Sequence, residues 1–222
     1  MDPLQFGAIP GLDDNASAGP SSPPPLPAPA QHPGLALLTP SRMDARSLRR
    51  GAGEDEATIV RTGIGPRRSR RAIQDGEIDT DDAIAVAGIG WALSTRVRPG
   101  DVVVADHVRT DALTEGVVPP TRLLPGAAKL AALLRERGLT VHVGTIISTD
   151  NRVNDHVRDR LAMTHALIAD RESAWLLAAG GTKAIACVRV ASHHAVLEFR
   201  RRARTLRAIG AAITEWAASR AT

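Results

Sequence analysis

Tyrosine is absent from this chain, phenylalanine occurs twice, and aromatic residues together make up 2%. Base-stacking platforms need aromatics, so the composition argues against nucleic acid as a partner even though the basic balance raises the question. Lysine is nearly missing too: only Lys129 and Lys183 occur, and the remaining cations are arginines. Cysteine is reduced to Cys187, which excludes an internal disulfide and fits a reducing cytoplasm. That residue lies in an apolar strand and reads as inert core rather than nucleophile. No apolar run approaches the ~18 residues that a membrane span needs. The first residues, Met1 to Gly7, show neither a basic n-region nor an apolar h-region, so no signal peptide is expected.

What is present describes one ordinary α/β domain. The chain has 222 residues, 43% hydrophobic and 23% charged, with a net charge of +4 and a pI near 10.4. Residues 1–33 contain three Asp, no Lys or Arg and many prolines, including Pro23, Pro24 and Pro25. Such a segment cannot offset its ordering entropy, so it is expected to be a disordered tail ahead of a domain over 34–222. Without those three acids the remainder carries +7, from 28 cations and 21 anions. Short apolar or β-branched runs predict strands at 34–39, 57–62, 82–88, 101–106, 140–147, 166–169 and 184–190. Helices are expected at 40–49 (after a loop), 67–74, 126–137, 155–165, 170–179 and 198–219, with a long loop over 107–125. Strands alternating with helices predict an α/β fold: a single three-layer domain around a central mixed, largely parallel sheet.

Four stretches carry chemistry. Residues 166–179 read as a short apolar strand that breaks into Asp170, Arg171 and Glu172 before an apolar helix. Carboxylates there lie at the carboxyl edge of a sheet, where open α/β sheets bind ligands. They are equally the acids that cap a helix. Thr62-Gly63-Ile64-Gly65-Pro66 is a glycine turn from strand to helix, suited either to tight turning or to close approach of a ligand. The run from Arg67 to Arg71 that follows is most simply a solvated face. Gly88-Ile89-Gly90 with Asp106 further on approaches a dinucleotide fingerprint, but Gly90 to Pro99 leaves no room for the crossover helix that a βαβ unit needs.

The same stretches resemble another pattern. Asp170-Arg171-Glu172-Ser173-Ala174 resembles the Asp-Met-Glu-(Ser/Ala)-Ala motif of the purine nucleoside phosphorylase and methylthioadenosine/adenosylhomocysteine nucleosidase superfamily. Thr62-Gly63-Ile64-Gly65 is the family's usual wording at that place. Gly88-Ile89-Gly90-Trp91-Ala92, followed by Arg98-Pro99-Gly100-Asp101, resembles its glycine block and Gly-Asp turn. Ile147-Ser148-Thr149-Asp150-Asn151-Arg152-Val153 and Val188-Arg189-Val190-Ala191-Ser192-His193 resemble its later blocks, and Ser41-Arg42-Met43-Asp44 its first. The resemblance runs from Gly34 to about Ala218.

It implies cleavage of a purine N-glycosidic bond, by phosphorolysis or hydrolysis. Glu172 would hold ribose hydroxyls, with Arg171 in place of a sugar-packing Met. Arg152 would stack on the base in place of an aromatic, with the Val153 backbone beside it. Gly63, Gly65, Gly88 and Gly90 would lie near sugar and any phosphate. Asp44 would orient the nucleophile, a role set against that of an ordinary first-turn helix acid. His193 stands where the family has an Asp that protonates the leaving purine, a contribution of roughly 10²–10⁴-fold. Protonated His could replace it; with the acid lost, the chain would instead be a nucleoside-binding or scaffold protein. Ile89 and Trp91 depart from the family's Ser and Gly. The resemblance implies no cofactor and no metal, inorganic phosphate being the alternative co-substrate, and it implies a homo-oligomer. Residues 202–216 are loosely similar to the bacterial nucleosidase-like proteins of hopanoid and isoprenoid clusters.

Overall fold

The computed structural model describes residues 34–53, 56–78, 82–111, 118–192 and 199–221. The expected tail, 1–33, lies outside them. Eight strands form one sheet: β1 (Leu35–Thr39), β2 (Thr58–Arg61), β3 (Ala83–Ala92), β4 (Val102–Thr110), β5 (Arg122–Leu123), β6 (Val141–Ser148), β7 (Ile168–Asp170) and β8 (Ala184–Ser192). Among the described residues six α-helices accompany them: α1 (Arg42–Ala52), α2 (Pro66–Gln74), α3 (Ala127–Glu136), α4 (Asp155–Ala162), α5 (Ser173–Gly180) and α6 (Phe199–Ala221).

The path β2-β1-β3-β7-β6-β4-β5 is closed by β8, which pairs in parallel with β3 and antiparallel with β4. β3, β8, β4, β6 and β7 therefore form a ring of hydrogen-bonded strands. Parallel pairs outnumber antiparallel ones, five to three, as the expected mixed, largely parallel sheet requires.

Alternate residues along the strands face two apolar layers. Leu35, Leu37, Ala85 and Ala87 pack with Leu48 of α1, Leu130 of α3 and Leu206 and Ile209 of α6. Ala36, Leu38, Ile84 and Val86 pack with Trp175, Leu176 and Leu177 of α5. Local chemistry sets the boundaries. The Ser41 side chain accepts the Asp44 N–H at 3.1 Å and caps α1. Gly65, at φ 94°, precedes Pro66 at the start of α2. Asn154 caps α4 by accepting from Val157 N at 2.9 Å.

Two expectations change. The glycines at 88 and 90 are not in a loop, because β3 runs on through Ala92. They are strand residues against which other groups are pressed: a Cβ on Gly90 would lie 2.3 Å from Ile168 Cγ2 and 2.9 Å from the Ala169 carbonyl oxygen. The loop expected from 107 is also shorter. β4 continues to Thr110, held by β6, and β5 then pairs back on His107 and Val108.

Helices α1 and α6 touch backbone to backbone. A Cβ on Gly51 would lie 1.9 Å from the Arg207 carbonyl oxygen, and one on Gly210 would lie 2.5 Å from that of Leu48. Gly51→Ala is therefore expected to destabilise the fold by about 1–3 kcal/mol, as overpacking does, despite the gain of about 1 kcal/mol in helix propensity. A thermal or urea melt of the variant checks this; unchanged stability would mean that the helices part without cost.

Candidate functional site

At the end of β7 the chain delivers two carboxylates in succession. Asp170 is the last residue of the strand and is fully buried. Its Oδ1 accepts the Glu172 and Ser173 N–H groups, each at 3.2 Å, so Asp170 is the acid that caps α5. Ser148 Oγ, at the end of β6, donates to the same oxygen at 2.5 Å. Ser173 Oγ also hydrogen-bonds Oδ2. Glu172 makes no cap bond of its own. Its side chain turns to the glycine loop after β2, where Oε1 accepts the Gly65 N–H at 3.0 Å. Of the two readings of this stretch, capping belongs to Asp170, and Glu172 is free for another role.

Arg189 joins the two acids. It is wholly buried on β8, its Nε donates to Asp170 Oδ2 at 2.7 Å, and its Nη2 lies 3.6 Å from Glu172 Oε2. Nη2 also donates to Ser173 Oγ at 2.8 Å. Nη1 is buried and has no partner among the described residues. A Cβ on Gly88 would lie 2.6 Å from that Nη1 and 3.1 Å from Pro40 Cδ, so the glycine leaves room for the guanidinium at the end of β1.

One guanidinium thus serves two buried acids, and its closest contact goes to Asp170. Burial pushes the Glu172 carboxyl up to about 7; Arg189 opposes the rise, the Asp170 charge adds to it, and the Gly65 and Arg171 N–H groups reduce it. Burial disfavours charge on Arg189, but Asp170, Cys187 and Glu172 outweigh that and hold it protonated. Cys187, 3.1 Å from Ser173 Oγ, is driven up to about 12 chiefly by burial, consistent with inert core.

The other expected residues divide. Gly63 and Gly65, at φ 78° and 94°, form the loop that meets Glu172. Arg171 Nη2 donates to the Asp150 carbonyl at 3.0 Å, which ties the strand end to the loop holding Arg152 and Val153. Arg152 is exposed, while Val153 packs with Trp91 in a small apolar cluster. Asp44 is buried in the first turn of α1, four residues after Pro40, and Arg202 of α6 donates to its Oδ1 from Nε at 2.9 Å and from Nη2 at 2.6 Å. His193 and His194 lie outside the described residues; β8 ends at Ser192, just before them.

Sequence reasoning missed Arg189, Ser148 and Arg202 as members of this assembly. A lone arginine between Val188 and Val190 in an apolar strand was the available signal for the first: a charge buried there needs a partner. Nothing marked Arg202. A separate, mainly apolar cavity of about 1020 Å³ opens by Leu35, Ala83 and Ile185, at the starting ends of β1, β3 and β8. It lies at the opposite end of these strands from the carboxylates.

Comparison with known proteins agrees with this fold. The family model of the phosphorylase superfamily matches residues 26–212. The chain belongs to the phosphorylase superfamily. Among solved structures, this superfamily member is similar to a putative methylthioadenosine nucleosidase from Weissella paramesenteroides, at TM-score 0.66 and 16% identity, over 84% of this chain and 98% of that one. A point mutant of the Helicobacter pylori methylthioadenosine nucleosidase, solved with 5′-methylthioadenosine in its active site, matches at TM-score 0.64 and 14% identity over 86% and 100%. A futalosine hydrolase mutant of Helicobacter pylori strain 26695 matches at 0.64 and 16% over 82% and 99%. No curated protein sequence matches. At such identities the likeness establishes the fold, and the nucleoside phosphorylase-like α/β architecture expected from the sequence is the one found.

Proposed function

We propose that this superfamily member cleaves the N-glycosidic bond of a purine nucleoside of the adenosine type, with water as the nucleophile. The observation that carries the reading is Glu172: a buried carboxylate at the sheet edge, held by a glycine-loop N–H and facing a guanidinium already engaged by Asp170. Ionised, Glu172 accepts hydrogen bonds from vicinal ribose hydroxyls. Its negative charge then stabilises the positive charge that develops on the ribosyl ring as the bond to nitrogen breaks.

Both hydrogen bonds from Arg202 to Asp44 end on Oδ1, which leaves Oδ2 to orient the attacking water. The water oxygen bonds to the anomeric carbon and gives its proton to Asp44. The electron pair of the broken C–N bond leaves with the purine, which takes a proton at N7 from His193 in this reading. Water is preferred to phosphate on electrostatic grounds. Arg189, the fully buried cation among the described residues of the site, is matched by two carboxylates and so has no spare charge to offer a phosphate anion.

The test is release of free base from adenosine, inosine and a 5′-substituted adenosine, with and without inorganic phosphate. Equal release in both conditions is expected. Release that depends on phosphate would overturn the choice of water. Nucleoside binding without release would favour the reading as a binding protein that has lost its acid, for which the His at position 193 is the supporting observation.

A further inference from the structure

Outside the candidate site, one face carries a dense group of exposed arginines. Helix α1 exposes Arg42, Arg46, Arg49 and Arg50, and its one acid, Asp44, is buried. Helix α6 exposes Arg200, Arg204 and Arg207, and its first acid is Glu215, which Arg137 binds. None of these seven arginines forms an ion pair among the described residues. The two helices lie side by side on the same face of the sheet, since Leu48, Leu206 and Ile209 belong to one apolar layer. Their backbones meet at Gly51 and Gly210. Their outer surfaces therefore make one broad cationic plane, with Met43 exposed at its edge.

We propose that this plane docks the protein on an anionic phospholipid surface. A plane two helices wide matches a two-dimensional array of phosphate headgroups, and clusters of this size suffice for electrostatic association. Nucleic acid fits less well. Both helices bury their inner faces in the core, so neither is a free helix for a groove, and among the described side chains none on the plane is a tryptophan for stacking: Trp175 and Trp216 are buried, and Trp91 packs elsewhere. The inference goes beyond the proposed reaction and does not depend on it.

Sedimentation of the full chain with phosphatidylcholine vesicles, with and without phosphatidylserine, tests it. Binding is expected only with phosphatidylserine, and raising the salt should abolish it. Arg46→Glu with Arg204→Glu should weaken partitioning at least ~10-fold, given the usual worth of each basic residue near the surface. Arg46→Gln with Arg204→Gln should fall between this and wild type, and thermal melts should show all variants folded. Arg67→Glu with Arg71→Glu, on α2 against the other face, should change partitioning less than ~3-fold. No binding at low salt, equal loss from the α2 pair, or preferential binding of duplex DNA over the vesicles would each overturn the proposal.

Discussion

Replacing Glu172 by Gln should lower base release at least ~100-fold, the scale on which a lost charge stabiliser acts, while making the protein more stable in alkali. The two effects have one origin. Burial raises the folded-state Glu172 carboxyl to about 7 from an ordinary 4.5. Between those values the folded chain holds a proton that the unfolded chain releases, so wild-type stability falls as pH rises through this window and stays reduced above it. The amide carries no charge to desolvate, and its oxygen keeps the Gly65 N–H bond. Glu172→Gln should therefore exceed wild type by about 1–3 kcal/mol at pH 8, a difference that disappears as pH falls to about 4.5. Activity should run the other way, because only the ionised carboxylate binds ribose and the developing charge. The wild-type rate should climb with pH through about 7 as Glu172 ionises, and fall again at higher pH as His193 loses the proton it donates. Urea melts at several pH values, set beside a pH–rate profile, check both. A variant less stable than wild type at pH 8 would mean that the Arg189 contact outweighs the cost of burial.

Arg189→Met is expected to be the most damaging single change to the fold. It leaves Asp170 and Glu172 buried without their shared cation, and breaking such a pair costs about 3–5 kcal/mol. Acid should rescue it. With the guanidinium gone, the charge that lowers the Glu172 carboxyl is lost and that carboxyl titrates still higher in the folded state, so the stability lost on raising the pH is regained on lowering it. Adding Asp170→Asn should recover part of the loss, because one uncompensated charge disappears and the amide oxygen still accepts from the start of α5. Urea denaturation of the single and double variants decides the matter. An Arg189→Met protein as stable as wild type at pH 8 would mean that the buried network is not what holds β7 and β8 together.

Most of the fold was legible because its longer elements carry local signatures, whereas β5 lies in the stretch expected to be loop. β-branched runs mark β2, β4 and β6, Ser41 and Pro66 mark helix starts, and Gly138 follows α3. The route of β3 was not legible, since two glycines in a row of small residues look like a turn until Arg189, Pro40 and Ile168 are seen pressing on them. Nor was the position of β8 between β3 and β4, which closes a ring through pairings far apart in sequence. The site divides the same way. Glu172 and Gly65 stand in motifs, whereas their bond links positions 107 residues apart, and Arg202 reaches Asp44 across 158. Residue type and spacing identify candidates; which of them share a guanidinium is decided by sheet register.

The most direct test is free adenine released from 5′-methylthioadenosine in phosphate-free buffer, by wild type beside Glu172→Gln. The account predicts release by wild type and almost none by the variant, with both proteins folded. Equal release by the two would remove Glu172 from the chemistry, and release by neither would leave the superfamily fold without this reaction.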